Sequence, residues 1–273
     1  MNNIEKLAYS TVRIQMFGKN GQIGFGTGFF FGFEVKGNTD PDFAKPVLVT
    51  NRHVLKGCDR ISFRFNISDG DYNPVLGDFE ECVIDDVVNV SFFHPDPKVD
   101  LAIVPLLDFM SRNENLYGCF LREVNIPTEI ELKNIFAMDE VVMVGYPCRI
   151  ADEKNNLPVF RKGVLSTFPS IDYNGEKRFL IDAACFPGSS GSPVLLYDRT
   201  VYRENTNIVF GKKNFLLGIQ AAGFIHEASG EIKIVDVPTQ LDSCIVTQIP
   251  ANLGVVVKSS CILDFKRFFP DVE

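Results

Sequence analysis

Short runs rich in Val, Ile and Phe alternate with clusters of Gly, Pro, Asn and Asp along the whole chain. Such runs, bounded by turn residues, predict β-strands. Strands are expected at 10–17 and 23–35, joined across Gly18-Lys19-Asn20-Gly21, then at 45–51, 60–67, 79–93 and 100–106. A polar stretch from about 108 to 134 interrupts the rhythm. It resumes at 140–147, 157–167, 177–184, 192–197, 214–225 and 243–249, and 259–269 reads as a short terminal helix. Long polar loops are expected at 36–46, 68–78, 198–213 and 226–242. About six strands, a connector and about six more, with no helical period between them, predict an all-β fold, sandwich or barrel. The division is 1–110, 111–135 as connector, and 136–273. Two closed barrels would leave a cleft between them, a favoured place for a site.

Composition narrows the partners. The 273 residues carry 27 basic and 35 acidic side chains, a formal charge of −8. No run of Lys or Arg concentrates positive charge, so nucleic acid or an anionic membrane is not expected as main partner. The start has no basic-then-apolar leader pattern, and no apolar run approaches the ~18 residues of a membrane span. Seven cysteines are scattered, with no CxxC and no zinc spacing. Reduced thiols and a cytoplasmic location are expected, with no metal and no cofactor.

The stretch CFPGSSGSPV, 185–194, sets three serines between glycines and prolines. A serine hydroxyl is a poor nucleophile unless a base takes its proton, a third group orients the base, and N–H donors meet the oxyanion. Gly188 can turn its N–H toward a pocket, Pro187 and Pro193 restrict the turn, and Ser190 sits at its tip. The same composition also suits a plain surface turn. Among three histidines, His53 follows the apolar run LVTNR at a strand end, where loops carry function. His94, in FFHPDP, reads as a solvated or capping residue, and His226 as a rim residue. Asp100 opens the apolar strand DLAIV; it either orients a base or caps its own turn.

Taken together these blocks resemble the chymotrypsin-like (trypsin-like) serine peptidases. LVTNRHVL is similar to the family's histidine block, VDLAIV to its aspartate strand, PGSSGSPV to its serine turn, and LLGIQAAG to the strand that binds substrate backbone. The order His, Asp, Ser and the intervals between them match as well. GFGTGFFF, TNRHV and DAACFPGSSG bring the chain nearest to the HtrA-type protease domain, without the PDZ module. The resemblance implies two six-stranded antiparallel β-barrels with a short C-terminal helix. It implies a serine endopeptidase working through an acyl-enzyme. His53 is then general base and acid, Asp100 its orienter, Ser190 the nucleophile, and the N–H groups of Gly188 and Ser190 the oxyanion hole. Ser189 and Ser192 are turn residues.

The departures carry expectations of their own. Secreted members place an acid where Ser189 stands, so activation by a freshly cut N-terminus is not expected; loop ordering or a regulatory protein partner is. Ala184 resembles the base of the specificity pocket and is not acidic, which disfavours Arg or Lys there. With Cys185, Ala221, Ala222 and Gly223 it suggests a small or medium apolar side chain before the scissile bond. Cys185 is read as pocket lining or as a spectator thiol, and Asp182 as structural. A protein or peptide substrate is expected. The alternative is a non-catalytic binding or sensor protein on the same scaffold.

Overall fold

A computed structural model describes residues 3–37, 44–204, 207–231 and 244–272, and the side chains of 198–213 and 225–250 fall outside that description. The first half holds β1 (Thr11–Gly18), β2 (Gly21–Glu34), β3 (Ala44–Thr50), β4 (Arg60–Ser68), β5 (Pro74–Asp85), β6 (Phe92–Phe93), β7 (Ala102–Pro105), β8 (Leu116–Tyr117) and β9 (Leu121–Arg122). They form one nine-stranded sheet in the order β5-β4-β1-β2-β3-β7-β6, with β8 on β4 and β9 on β2. The second half holds β10 (Glu140–Gly145), β11 (Val159–Leu165), β12 (Arg178–Asp182), β13 (Pro193–Glu204), β14 (Asn207–Glu231) and β15 (Cys244–Lys258). These close into a six-stranded antiparallel barrel, β10-β11-β12-β15-β14-β13. A 3₁₀ helix, Ser259–Phe268, follows β15 where a short helix was expected.

The all-β class stands, and five details depart from the sequence reading. The first half was expected as a closed six-stranded barrel; its ladder instead ends at β5 and β6 without joining them. The expected strand 79–93 is broken because Asp86 takes a left-handed conformation (φ 50°) and starts a helical turn at Val87–Val90. The expected loop 198–213 lengthens β13 and β14 into a hairpin across Asn207↔Glu204, as the β-prone residues Val201, Tyr202, Ile208, Val209 and Phe210 allow. The expected loop 226–242 divides between β14, which runs to Glu231, and residues outside the description; 38–43 of the expected loop 36–46 also lie outside it. The connector 111–135 is partly sewn into the first sheet by β8 and β9.

Period-two alternation in β2 builds two cores from one phenylalanine run. Phe29, Phe31 and Phe33 face a cluster shared by both halves, with Val144, Leu195, Ile219 and Phe265. Phe30 faces the other way, among Leu48, Phe63 and Phe65 inside the first half. Each fully buried phenylalanine contributes about 1.5–3 kcal/mol. The shared cluster therefore fixes the halves against each other, and β2 and β3 run through the seam where they meet. Ile181, Phe179, Val194, Leu217 and Val256 fill the second barrel.

Candidate active site

β3 ends at Thr50, and the register Thr50↔Ala102 sets the residues after it beside those before β7. Asn51 is extended and the helical turn Arg52–Leu55 follows, anchored by buried Val54 and Leu55. This turn presents His53, whose side chain is 47% exposed. Asp100 grips it twice. Its Oδ1 accepts the His53 backbone N–H at 3.0 Å, and its Oδ2 lies 2.6 Å from His53 Nδ1. A carboxylate only accepts, so Nδ1 carries the ring proton and Nε2 is left free to take another. The Asn51 side chain donates to the Asp100 carbonyl at 2.7 Å, holding the aspartate's own backbone. Among the described residues the Asp100 carboxylate thus bonds His53 rather than its own turn.

The serine turn is clamped from both halves. Thr27 of β2 donates its N–H to the Ser190 carbonyl and its hydroxyl to the Gly188 carbonyl, each at 2.8 Å. Thr50 Oγ1 in turn donates to the Thr27 carbonyl at 2.8 Å, which ties the turn to the strand end that leads to His53. Cys148 N–H bonds the Pro187 carbonyl at 2.8 Å, and Gly191 N–H the Gln220 carbonyl at 2.9 Å. Gly188 and Gly191 both have positive φ, 91° and 90°. A Cβ on Gly188 would lie 2.6 Å from the Tyr146 carbonyl oxygen, and one on Gly191 only 1.8 Å from that of Thr27.

This geometry separates the three serines. Ser189 and Ser192 are 2% and 1% exposed, with hydroxyls turned into the protein. Ser190 is half-buried and open. The amides of the turn divide in the same way. Ser189 N–H is spent on Phe186, Gly191 N–H on Gln220 and Ser192 N–H on Ser189. Those of Gly188 and Ser190 donate to no protein group among the described residues. Two amides of the turn, two residues apart and one of them Ser190's own, are thus left free to meet a ligand. Ser190 Oγ makes no hydrogen bond to His53 in this structure.

The family model of the trypsin-like peptidase domain matches residues 26–202. The chain belongs to the trypsin-like peptidase family. No curated protein matches its sequence. Among solved structures, it is similar to a serine endoprotease from Yersinia pestis, at 13% identity and a TM-score of 0.49, covering 97% of this chain and 64% of that one. It is also similar to the active form of the Rv3671c protease from M. tuberculosis, at 15% identity and a TM-score of 0.48, covering 99% and 85%.

In this member of the family, the positions resembling the substrate pocket lie on β14 and on the segment before the serine turn. Ala221 is buried, Ala222 and Gly223 are exposed, and Ala184 and Cys185 are half-buried. A Cβ on Gly223 would lie 3.2 Å from that of Cys185, so the two walls meet. A cleft of about 390 Å³ runs alongside, lined by Asp100, Ala221, Ala222, Lys98, Lys177 and Arg178 among others. Burial pushes the Cys185 thiol up to about 11, so it stays protonated at neutral pH and is no nucleophile. Asp182 is exposed at the end of β12.

The two other histidines stand differently. His94 is 3% exposed rather than solvated. Its Nε2 meets Asp264 at 3.0 Å under the terminal helix, while its Nδ1 accepts the Asp96 N–H at 3.1 Å, so the capping role holds. The His226 side chain lies outside the described residues. Sequence reasoning also passed over Thr27, Asn51 and Gln220. The one available signal was polarity inside an apolar run, such as the lone amide in LLGIQAAG.

Proposed function

We propose that the protein is a serine endopeptidase that hydrolyses peptide bonds through an acyl-enzyme. Ser190 Oγ attacks the scissile carbonyl carbon while its proton passes to His53 Nε2. Asp100 holds the tautomer that makes Nε2 the acceptor and stabilises the imidazolium that forms. The amides of Gly188 and Ser190 receive the oxyanion. Collapse of the tetrahedral species breaks the C–N bond, and His53 returns the proton to the leaving amine. Water, deprotonated by His53, then attacks the Ser190 ester and releases the acid product. The substrate is a protein or peptide held along Ala221–Gly223 with a side chain between Ala184 and Cys185. Family membership supports this reading, and the observation that carries it is the pair of unspent amides, those of Gly188 and of Ser190 itself, at the single open serine of the turn.

Activity is narrow or gated, by loop ordering or by a protein partner, in a cytoplasmic setting. Two features support this: Ser189 stands buried where zymogen-type members place an acid, and the cysteines described are all free thiols. A fluorophosphonate probe tests the proposal. We expect covalent labelling that disappears in Ser190→Ala. No labelling with or without candidate substrates would leave a binding or sensor protein as the better account.

A further inference from the structure

Gln220 lies in β14, 2% exposed, next to the turn that its carbonyl braces. Its Nε2 donates to the Ala222 carbonyl at 2.7 Å, and this bond fixes which end of the amide is spent. The other end, Oε1, is buried with no partner. A Cβ on Gly254 would lie 2.7 Å from that oxygen and 2.6 Å from Cys185 Sγ. Oxygen and thiol therefore face one point between β14, β15 and the segment leading to the serine turn.

A second unpartnered atom, of opposite polarity, comes from β11. Arg161 alternates with Gly163 and Leu165 on one strand face. Leu165 is in the barrel core, and a Cβ on Gly163 would strike the Asp182 carbonyl oxygen at 2.5 Å. Arg161 thus points inward, at the barrel mouth below 182–186. Its guanidinium sits 5.3 Å from the Phe186 ring centre. Its Nη1 is buried without a hydrogen bond, and no carboxylate pairs with it among the described residues. The same cation partly offsets the upward push that burial gives the Cys185 thiol, as a positive charge beside this pocket would.

Unpaired buried donors and acceptors are costly, and a ligand that completes both is selected over one that completes neither. We propose that the pocket recognises a primary carboxamide, the side chain of Gln or Asn, on the residue before the scissile bond. The substrate's carbonyl oxygen accepts from Arg161 Nη1, and its NH₂ donates to Gln220 Oε1. A carboxylate would satisfy Arg161 but set a second bare oxygen against Gln220 Oε1, which Ala222 holds in place. An apolar side chain would leave both atoms unpaired. The earlier expectation of an apolar residue rested on the small walls, Ala184, Ala221, Ala222 and Gly223, without these two atoms behind them. The inference rests on the serine-peptidase reading for where the scissile bond lies.

The test is a set of peptides differing only at that residue: Gln, Asn, Glu, Asp, Met and Lys. Hydrolysis by the wild-type protein is expected to favour Gln or Asn by about tenfold or more in kcat/KM. In Gln220→Leu and Arg161→Met, each checked for an unchanged thermal unfolding profile, the carboxamide-to-Met ratio is expected to fall toward one. If one variant fails to fold, the other carries the comparison. Calorimetric binding of product peptides ending in Gln, Glu or Met asks the same question without turnover, and the Gln peptide is expected to bind about tenfold tighter. Glu or Met peptides that are cut or bound as well as Gln peptides overturn the inference. Tight Gln-peptide binding without fluorophosphonate labelling would support it and count against the peptidase reading alone.

Discussion

Thr27 donates its backbone N–H to the carbonyl of Ser190 at 2.8 Å, although one residue belongs to the first sheet and the other to the second half. The same threonine, wholly buried, donates its hydroxyl to Gly188 and accepts the Tyr146 N–H at 3.2 Å. The serine turn is therefore positioned by a strand far from it in sequence, and the seam between the halves becomes part of the site.

Thr27→Val keeps the shape and removes the hydroxyl, leaving the Gly188 carbonyl and the Tyr146 N–H unpaired. Each buried group so stranded costs about 1–3 kcal/mol. We expect a lower urea midpoint. We also expect peptide hydrolysis to fall by at least about tenfold, because the Gly188 amide loses its aim. A variant matching wild type in both would show that the clamp does not position the turn.

Gly188 and Gly191 share a positive φ but not a surrounding. In Gly191→Ala the new methyl meets the Thr27 backbone at 1.8 Å, and neither partner can yield. We expect that variant to lose its cooperative thermal transition. Gly188→Ala meets the Tyr146 carbonyl at 2.6 Å, at the edge of the turn. There we expect a folded protein whose kcat is lower by about 10²–10³, the cost of a lost oxyanion donor. Circular dichroism beside a turnover assay separates the two outcomes, and a fully active Gly188→Ala would remove that amide from the mechanism.

Asp100→Asn tests the orienter. The amide can present an N–H to His53 Nδ1 and so favour the tautomer with its proton on Nε2, where it cannot accept from serine. We expect kcat to drop by about 10⁴ with little change in KM, the loss found when this role is removed from such a triad. A drop of only severalfold would mean that another group holds the ring.

Much of this is legible in the sequence. Alternation placed most strands, and the short blocks around His53, Asp100 and Ser190 each fall on local turns, which sequence encodes; the structure bonds the first two to each other. What was not legible depends on distant partners. Nothing in FEECVIDDVVNVSFF signals that Asp86 will turn left-handed and split the strand. That the first sheet stays open depends on pairing between β5 and β6, which no local pattern encodes. Likewise, Gln220 and Arg161 read as an amide in an apolar run and a charge on a strand. Only their burial without partners sets them apart.

The buried thiols make a prediction about pH. Burial pushes Cys82 up to about 12 and Cys261 up to about 11, against an ordinary thiol value of 9.0. Below pH 9 these thiols are neutral in both folded and unfolded chains and contribute no pH dependence. Above it the unfolded chain releases protons that the folded one keeps, so the unfolded state gains and stability falls as pH rises. The window runs from about pH 9 to the folded values of about 11 and 12. Within it each thiol removes on the order of 1 kcal/mol per pH unit. Urea midpoints at pH 8, 9, 10 and 11 should stay level at first and then decline. Cys82→Ala costs some packing at every pH but should flatten the decline, because one of the titrating groups is gone. An unchanged slope in that variant would assign the alkaline loss to other groups.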